Sequence, residues 1–252
     1  MLTRFHLVLV PDKPCDLNSE WSYPLYASLL SLAPPAFGNA VHNDAAITPI
    51  SQFCVPSGDH LDWYVTLLGE ESQNALAEPL EKAELFPLRR DHVTMQTAAC
   101  TVDRIDSVEE LFRRSNKHHV HRLNFCTPAA FRQHGQYITL PTPRLLLQSQ
   151  IKKWNGSFPD CPIDDEDGQG MDTMADGLVL THFRLQDASF ELKRRTMHGF
   201  TGRMEIMTQL DGFHQTLADA LLYFSGYAGA GIKTTLGMGG ILWRPVHSGS
   251  RR

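Results

Sequence analysis

Apolar and polar positions along the chain switch between two periods, and the switches lay out its elements. Residues 5–10 alternate as a half-buried strand does. Ser22 then stands as the cap of a helix whose Leu25, Leu29 and Leu32 share one face, ended by Pro34-Pro35. A further short turn, 36–41, delivers His42 into the polar connection Asn43-Asp44. Residues 47–55 and 61–68 read as strands. Residues 70–84 read as a helix with Leu76, Leu80 and Ala83 turned inward and a kink at Pro79, and 85–99 as another strand. This β-α-β-β-α-β order is that of a ferredoxin-like domain.

The mixed-charge stretch 103–119 marks a junction, and the pattern predicts one domain over 1–118 and another over 119–252. In the second, 120–125 is a strand, and Thr142-Pro143 is a cap with a first-turn proline for a helix burying Leu147, Ile151 and Trp154. Residues 160–176 read as a polar loop, and 178–184, 190–195 and 200–209 as strands. Phe213, Leu217, Leu221 and Phe224 stripe the last helix, and Ile241-Leu242-Trp243 forms a short final strand. The expected fold class is α+β: two tandem ferredoxin-like (RRM-like) domains with a C-terminal glycine-rich loop.

That loop, between the last helix and the last strand, holds six glycines in the fifteen residues 226–240. Glycine gives up more backbone entropy on folding than any other residue. The expectation is therefore that these glycines leave backbone N–H groups bare for a phosphate chain, helped by Lys233, Thr234 and Thr235. A dinucleotide fingerprint needs strand, glycines, helix; the order here is helix, glycines, strand. A P-loop needs Gly-x-x-x-x-Gly before its lysine, which Lys233 lacks.

Charge qualifies the phosphate reading. The net charge is −5, unfavourable for nucleic acid as a whole. Residues 1–100 carry 5 Lys/Arg against 12 Asp/Glu, and residues 101–252 carry 18 against 16, seven of those acids lying in 160–176. The local basic excess places any bound RNA on the C-terminal half. Five scattered cysteines without a Cys-x-x-Cys pair point to a reducing compartment and away from a zinc site. No run of 18 apolar residues suggests a membrane span, and the N-terminus reads as a strand and not a signal peptide, so a cytoplasmic setting is expected. The acidic run Asp164-Asp165-Glu166-Asp167 lacks calcium-loop spacing and reads as a solvated loop; neither metal nor cofactor is expected. His118, His119 and His121 read as a basic junction and not a ligand set.

Gly229-x-Gly231-x5-Gly237-x-Gly239 with an internal lysine resembles the C-terminal loop of the RAMP superfamily of CRISPR-associated proteins, most of all the endoribonucleases that cut precursor CRISPR RNA at its repeats. Further likeness lies in Ala40-Val41-His42 followed by residues 47–51, in Phe125-Cys-Thr127-Pro128, in Pro143-Arg144 opening a helix that closes with Trp154-Asn155, and in Gly199-Phe200-Thr-Gly202. The resemblance implies metal-independent cleavage leaving a 2′,3′-cyclic phosphate and a 5′-OH, with His42 as general base. Tyr23 and Tyr26 are available in the first helix, while the lysine some members carry after the histidine is absent from 43–53. Expected RNA contacts are Gly229, Gly231, Lys233, Thr234, Gly237 and Gly239; Arg144, Lys152 and Lys153 on the 142 helix; and Lys193, Arg194 and Arg195 at a hairpin tip. The partners implied are a stem-loop CRISPR repeat RNA and CRISPR effector subunits, with the chain a monomer or homodimer. Two other readings remain: a non-catalytic RAMP subunit that binds guide RNA, and a small-molecule enzyme using the acidic loop as a metal site.

Overall fold

Alternate residues of Leu2–Pro11 (β1) are buried, which places Phe5, Leu7 and Leu9 under one face of a sheet. The computed structural model describes residues 1–43, 49–88, 92–115, 118–192 and 195–246, without the side chains of His42 and Asn43. After β1 come α1 (Ser22–Leu30), α2 (Pro35–Asn43), β2 (Ile50–Ser57), β3 (His60–Leu68), α3 (Glu70–Glu81), β4 (Leu85–Leu88) and β5 (Val93–Ile105). The strands form an antiparallel sheet in the order β2-β3-β1-β5-β4, the ferredoxin-like arrangement with one added edge strand. Leu25 and Leu29 of α1 and Leu76 and Leu80 of α3 pack onto Phe5, Leu7, Trp63 and Val65.

Ser22 is not the cap of α1. Asn18 caps a 3₁₀ turn, Ser19–Trp21, that runs into the helix. Ser22 is fully buried in the first turn, where its Oγ donates to Ser19 O (2.6 Å) and accepts from the Cys54 N–H (2.9 Å), tying α1 to β2. The strand expected over 85–99 is a hairpin: β4 pairs with the start of β5, which then continues to Ile105 beside β1. Helix α4 (Val108–Ser115) follows where only a charged junction was expected. Its Leu111, together with Leu2, Leu68 and Ile105, packs into the C-terminal core, so the two units share apolar surface.

The second unit runs β6 (Val120–Ala129), β7 (Phe131–Gln133), β8 (Gln136–Ile138), α5 (Pro143–Ser157), α6 (Gln169–Asp176), β9 (Leu178–Leu192), β10 (Arg195–Thr208), α7 (Gly212–Ala228) and β11 (Ile241–Pro245). Its sheet order β11-β6-β10-β9 repeats the ferredoxin-like arrangement, and β7 and β8 form a separate hairpin. Thr142 caps α5 as expected, its Oγ1 accepting from the Leu145 N–H. Three short strands predicted over 178–209 are two long ones, because pairing between β9 and β10 continues from Leu178↔Thr208 to Leu192↔Arg195. Part of the polar stretch 160–176 is α6, whose first N–H groups, at Gly170 and Met171, are held by the Asp165 carboxylate at 2.9 and 2.8 Å. Phe213 leaves the expected stripe: the first turn of α7 is exposed, burial begins at Leu217, and Phe213 is 70% accessible.

Candidate RNA interface and active site

The glycine loop does the opposite of what its composition suggests. Its amides are not bare: Ala230 N–H donates to Gly239 O, Ile232 N–H to Ala130 O and Gly239 N–H to Pro128 O, each at 2.9 Å. Gly231 N–H donates to Ser149 Oγ (2.8 Å) and Gly240 N–H to the buried Thr127 Oγ1 (2.9 Å). Gly229, Gly237 and Gly239 are buried. A Cβ on Gly231 (φ 80°) would lie 2.1 Å from Ala130 O, and one on Gly239 (φ 63°) would lie 2.0 Å from Ala230 O. These glycines let the loop fold on itself and press against the end of β6. Gln52 Nε2 of β2 donates to Thr235 O (2.8 Å) and Ser22 O (3.0 Å), so the loop is also bound to the first unit. What the loop turns outward is Lys233, exposed and held at φ 54°.

Lys233 opens onto a cleft of about 420 Å³ between the loop, α5 and β7. Of the residues expected to touch RNA, Gly231, Lys233, Thr234, Lys152 and Lys153 all line it. The two neighbouring lysines have opposite fates. Lys152 is exposed to the cleft, whereas Lys153 turns its Nζ inward, donating to Ala228 O (2.7 Å), Gly229 O (3.3 Å) and Thr234 Oγ1 (2.9 Å). Lys153 therefore fastens α5 to both ends of the loop, and the expectation that it tracks phosphates is corrected. Burial pushes its ammonium down from about 10.5 to about 7. Since the folded value lies below the unfolded one, the unfolded chain holds more protons between pH 7 and 10.5, and stability rises with pH across that window. Urea midpoints at pH 6, 7.5 and 9 should climb for the wild type, and Lys153→Met should flatten the climb.

The remaining expected site residues divide. Tyr23 packs against a small cluster made by Phe190 and Leu192 of β9, Met197 of β10 and Met238 of the loop. Tyr26 belongs to the N-terminal core, where burial pushes its phenol up to about 12. Arg144 is ion-paired with Asp172 of α6 and does not line the cleft. Arg195 opens β10 at the exposed end of the β9–β10 hairpin. Lys193 and Arg194 lie outside the described residues, as does the side chain of His42, which stands on the last turn of α2.

Residues 123–241 match the family model for the CRISPR-associated endoribonuclease Cas6. A CRISPR-associated endoribonuclease Cas6 of Mycobacterium tuberculosis is 28% identical over 257 residues, covering 97% of this chain and 79% of its own. The chain is similar to Cas6 endoribonucleases along nearly its whole length. The Cas6 of Streptococcus thermophilus is 25% identical over 195 residues, covering 77% of this chain and 79% of its own. A Cas6 product complex superposes with a TM-score of 0.76 at 20% identity, covering 97% of this chain and all of that one, and so shares the fold.

Arg132 and Ser149, both in the cleft, were not among the residues expected from the sequence. The signal for Ser149 was present: Leu145, Ser149, Lys152 and Gly156 recur at helical spacing and form one stripe of α5 along the cleft. The histidine group also differs from expectation. His121 is fully buried and its Nε2 lies 2.9 Å from Asp219 Oδ1, while Trp243 Nε1–H donates to His121 Nδ1 (3.0 Å), which fixes His121 as the neutral Nε2–H tautomer. Burial pushes the Asp219 carboxyl up, but hydrogen bonds from His121, Thr208 and Gln215 outweigh it and hold the group below 3.8. This network braces α7 against β6 and β10, upstream of the loop. Among the described residues no helix is long and apolar enough to cross a membrane.

Proposed function

We propose that the chain binds CRISPR repeat RNA and cuts precursor crRNA by attack of a ribose 2′-OH on the adjacent phosphate, leaving a 2′,3′-cyclic phosphate and a 5′-OH. The observation that carries the reading is the convergence of Arg132, Lys152 and Lys233 on one cleft beside the glycine loop, in a chain that matches Cas6 endoribonucleases over 97% of its length. Solved relatives of this fold include Cas6 product and substrate-mimic complexes. Three cations along one groove neutralise successive phosphates of a bound strand.

His42 is the proposed general base, because an imidazole's ordinary pKa lies near working pH. Topology supports it: seven residues on from His42, the Pro49 carbonyl accepts from the N–H of Leu68 (2.7 Å), and Leu68 lines the cleft. Of the two tyrosines, Tyr23 packs against the cluster that includes Met238 of the loop, and it is the one assigned to the charged phosphorane. Lys152 and Lys233 hold the substrate backbone, and Arg195 meets the stem from the exposed start of β10; Lys193 and Arg194, outside the described residues, are assigned the same partner.

Incubating the purified protein with repeat RNA in EDTA and mapping the new ends tests the proposal. One cut per repeat with a cyclic phosphate end is expected. Tight binding without a cut would make the chain a non-catalytic RNA-binding subunit, and cutting abolished by EDTA would overturn metal independence.

A further inference from the structure

The β7–β8 hairpin is built to be stiff. Its two-residue turn, His134-Gly135, has φ of 48° and 80°, the doubly left-handed turn whose twist matches that of the strands it joins. Its root is fixed by Phe131, 3% exposed in the C-terminal core and stacked on Phe200 at 6.3 Å, with the partner residue Ile138 packed against the same core. In this register Arg132 lies directly across from Tyr137. Cross-strand partners leave a ribbon on the same face. Arg132 lines the cleft, so Tyr137, 55% exposed, stands on that face at its edge. A lone exposed tyrosine means little by itself; a tyrosine preordered beside a phosphate-binding arginine is a stacking platform. The phenol ring offers an apolar face to a nucleobase, and the hairpin has already met the cost of ordering it.

We propose that Tyr137 stacks one unpaired nucleobase of the bound RNA at the edge of the cleft while Arg132 holds the adjoining phosphate. The contact rests on the RNA-processing reading above and refines it. Every base presents a π-face, so the platform selects for an unstacked nucleotide at that place and not for its identity.

The test uses the full chain and repeat RNAs carrying single 2-aminopurine substitutions. Wild-type protein should quench one position; Tyr137→Phe should keep the quenching and Tyr137→Ala should lose it. Affinity for intact repeat should fall roughly 5- to 150-fold in Tyr137→Ala. An abasic residue at the reporting position should cost the wild type a similar factor and cost Tyr137→Ala nothing more, the non-additivity expected of a direct contact. Unchanged thermal melting of Tyr137→Ala checks that the hairpin survives. If the wild type binds and cuts repeat RNA but no position responds to Tyr137, the stacking contact is wrong and the RNA-processing reading stands. If the wild type binds no repeat RNA, both fall.

Discussion

Gly239→Ala is expected to lower the thermal midpoint by roughly 10 °C, while Gly58→Ala should lower it by only a few degrees. Both positions sit at similar positive φ, 63° and 65°, so each alanine is forced into the left-handed region at a cost of about 1–2 kcal/mol. They differ in surroundings. A Cβ at Gly58 meets nothing within 4 Å, whereas one at Gly239 would lie 2.0 Å from the Ala230 carbonyl oxygen. That oxygen is backbone and has no rotamer by which to yield. Gly239 is moreover held on both sides, accepting from the Ala230 N–H and donating to Pro128 O, so relief of the clash breaks bonds between three chain segments. The sum is on the order of 3–5 kcal/mol, at the top of the range for single substitutions. The same displacement would swing Lys233 away from the cleft, so RNA affinity should fall with stability. Equal midpoint losses at the two positions would mean that left-handed backbone alone, and not close packing, requires the loop's glycines.

The loop's place in the chain was readable and its logic was not. Glycine content reports that backbone conformation is unusual; it does not report which oxygen waits 2 Å away or which carbonyl receives each N–H. The fold was legible for a related reason. Period-2 strands and 3.6-period helices are local, and a β-α-β-β-α-β string followed by a second unit of nearly the same order leaves few arrangements of their strands. Where the local signal was thin, the reading failed. Four apolar residues at Leu85–Leu88 merged with β5, and α6 hid within an acidic stretch because Asp165, which accepts from its first N–H groups, looked like one more surface charge. Side-chain direction was the least legible feature. Lys152 and Lys153 are adjacent, but consecutive helix residues point about 100° apart; one faces solvent in the cleft and the other ties down Ala228 and Thr234. Arg132 and Tyr137 escaped notice because three residues per strand give no period to detect.

His42→Ala is expected to slow cleavage of repeat RNA by roughly 10²- to 10⁴-fold, the usual contribution of a positioned general base. Affinity should change little, since the cations assigned to phosphate binding, Arg132, Lys152 and Lys233, lie on other elements. Single-turnover rates and binding curves on the same RNA separate the two effects, and unaltered melting excludes a structural cause. Added imidazole should restore part of the variant's rate. Cutting undiminished in His42→Ala would remove this residue from the mechanism, and the search would then turn to Tyr23, the expected catalytic side chain that packs against the cluster containing Met238 of the loop.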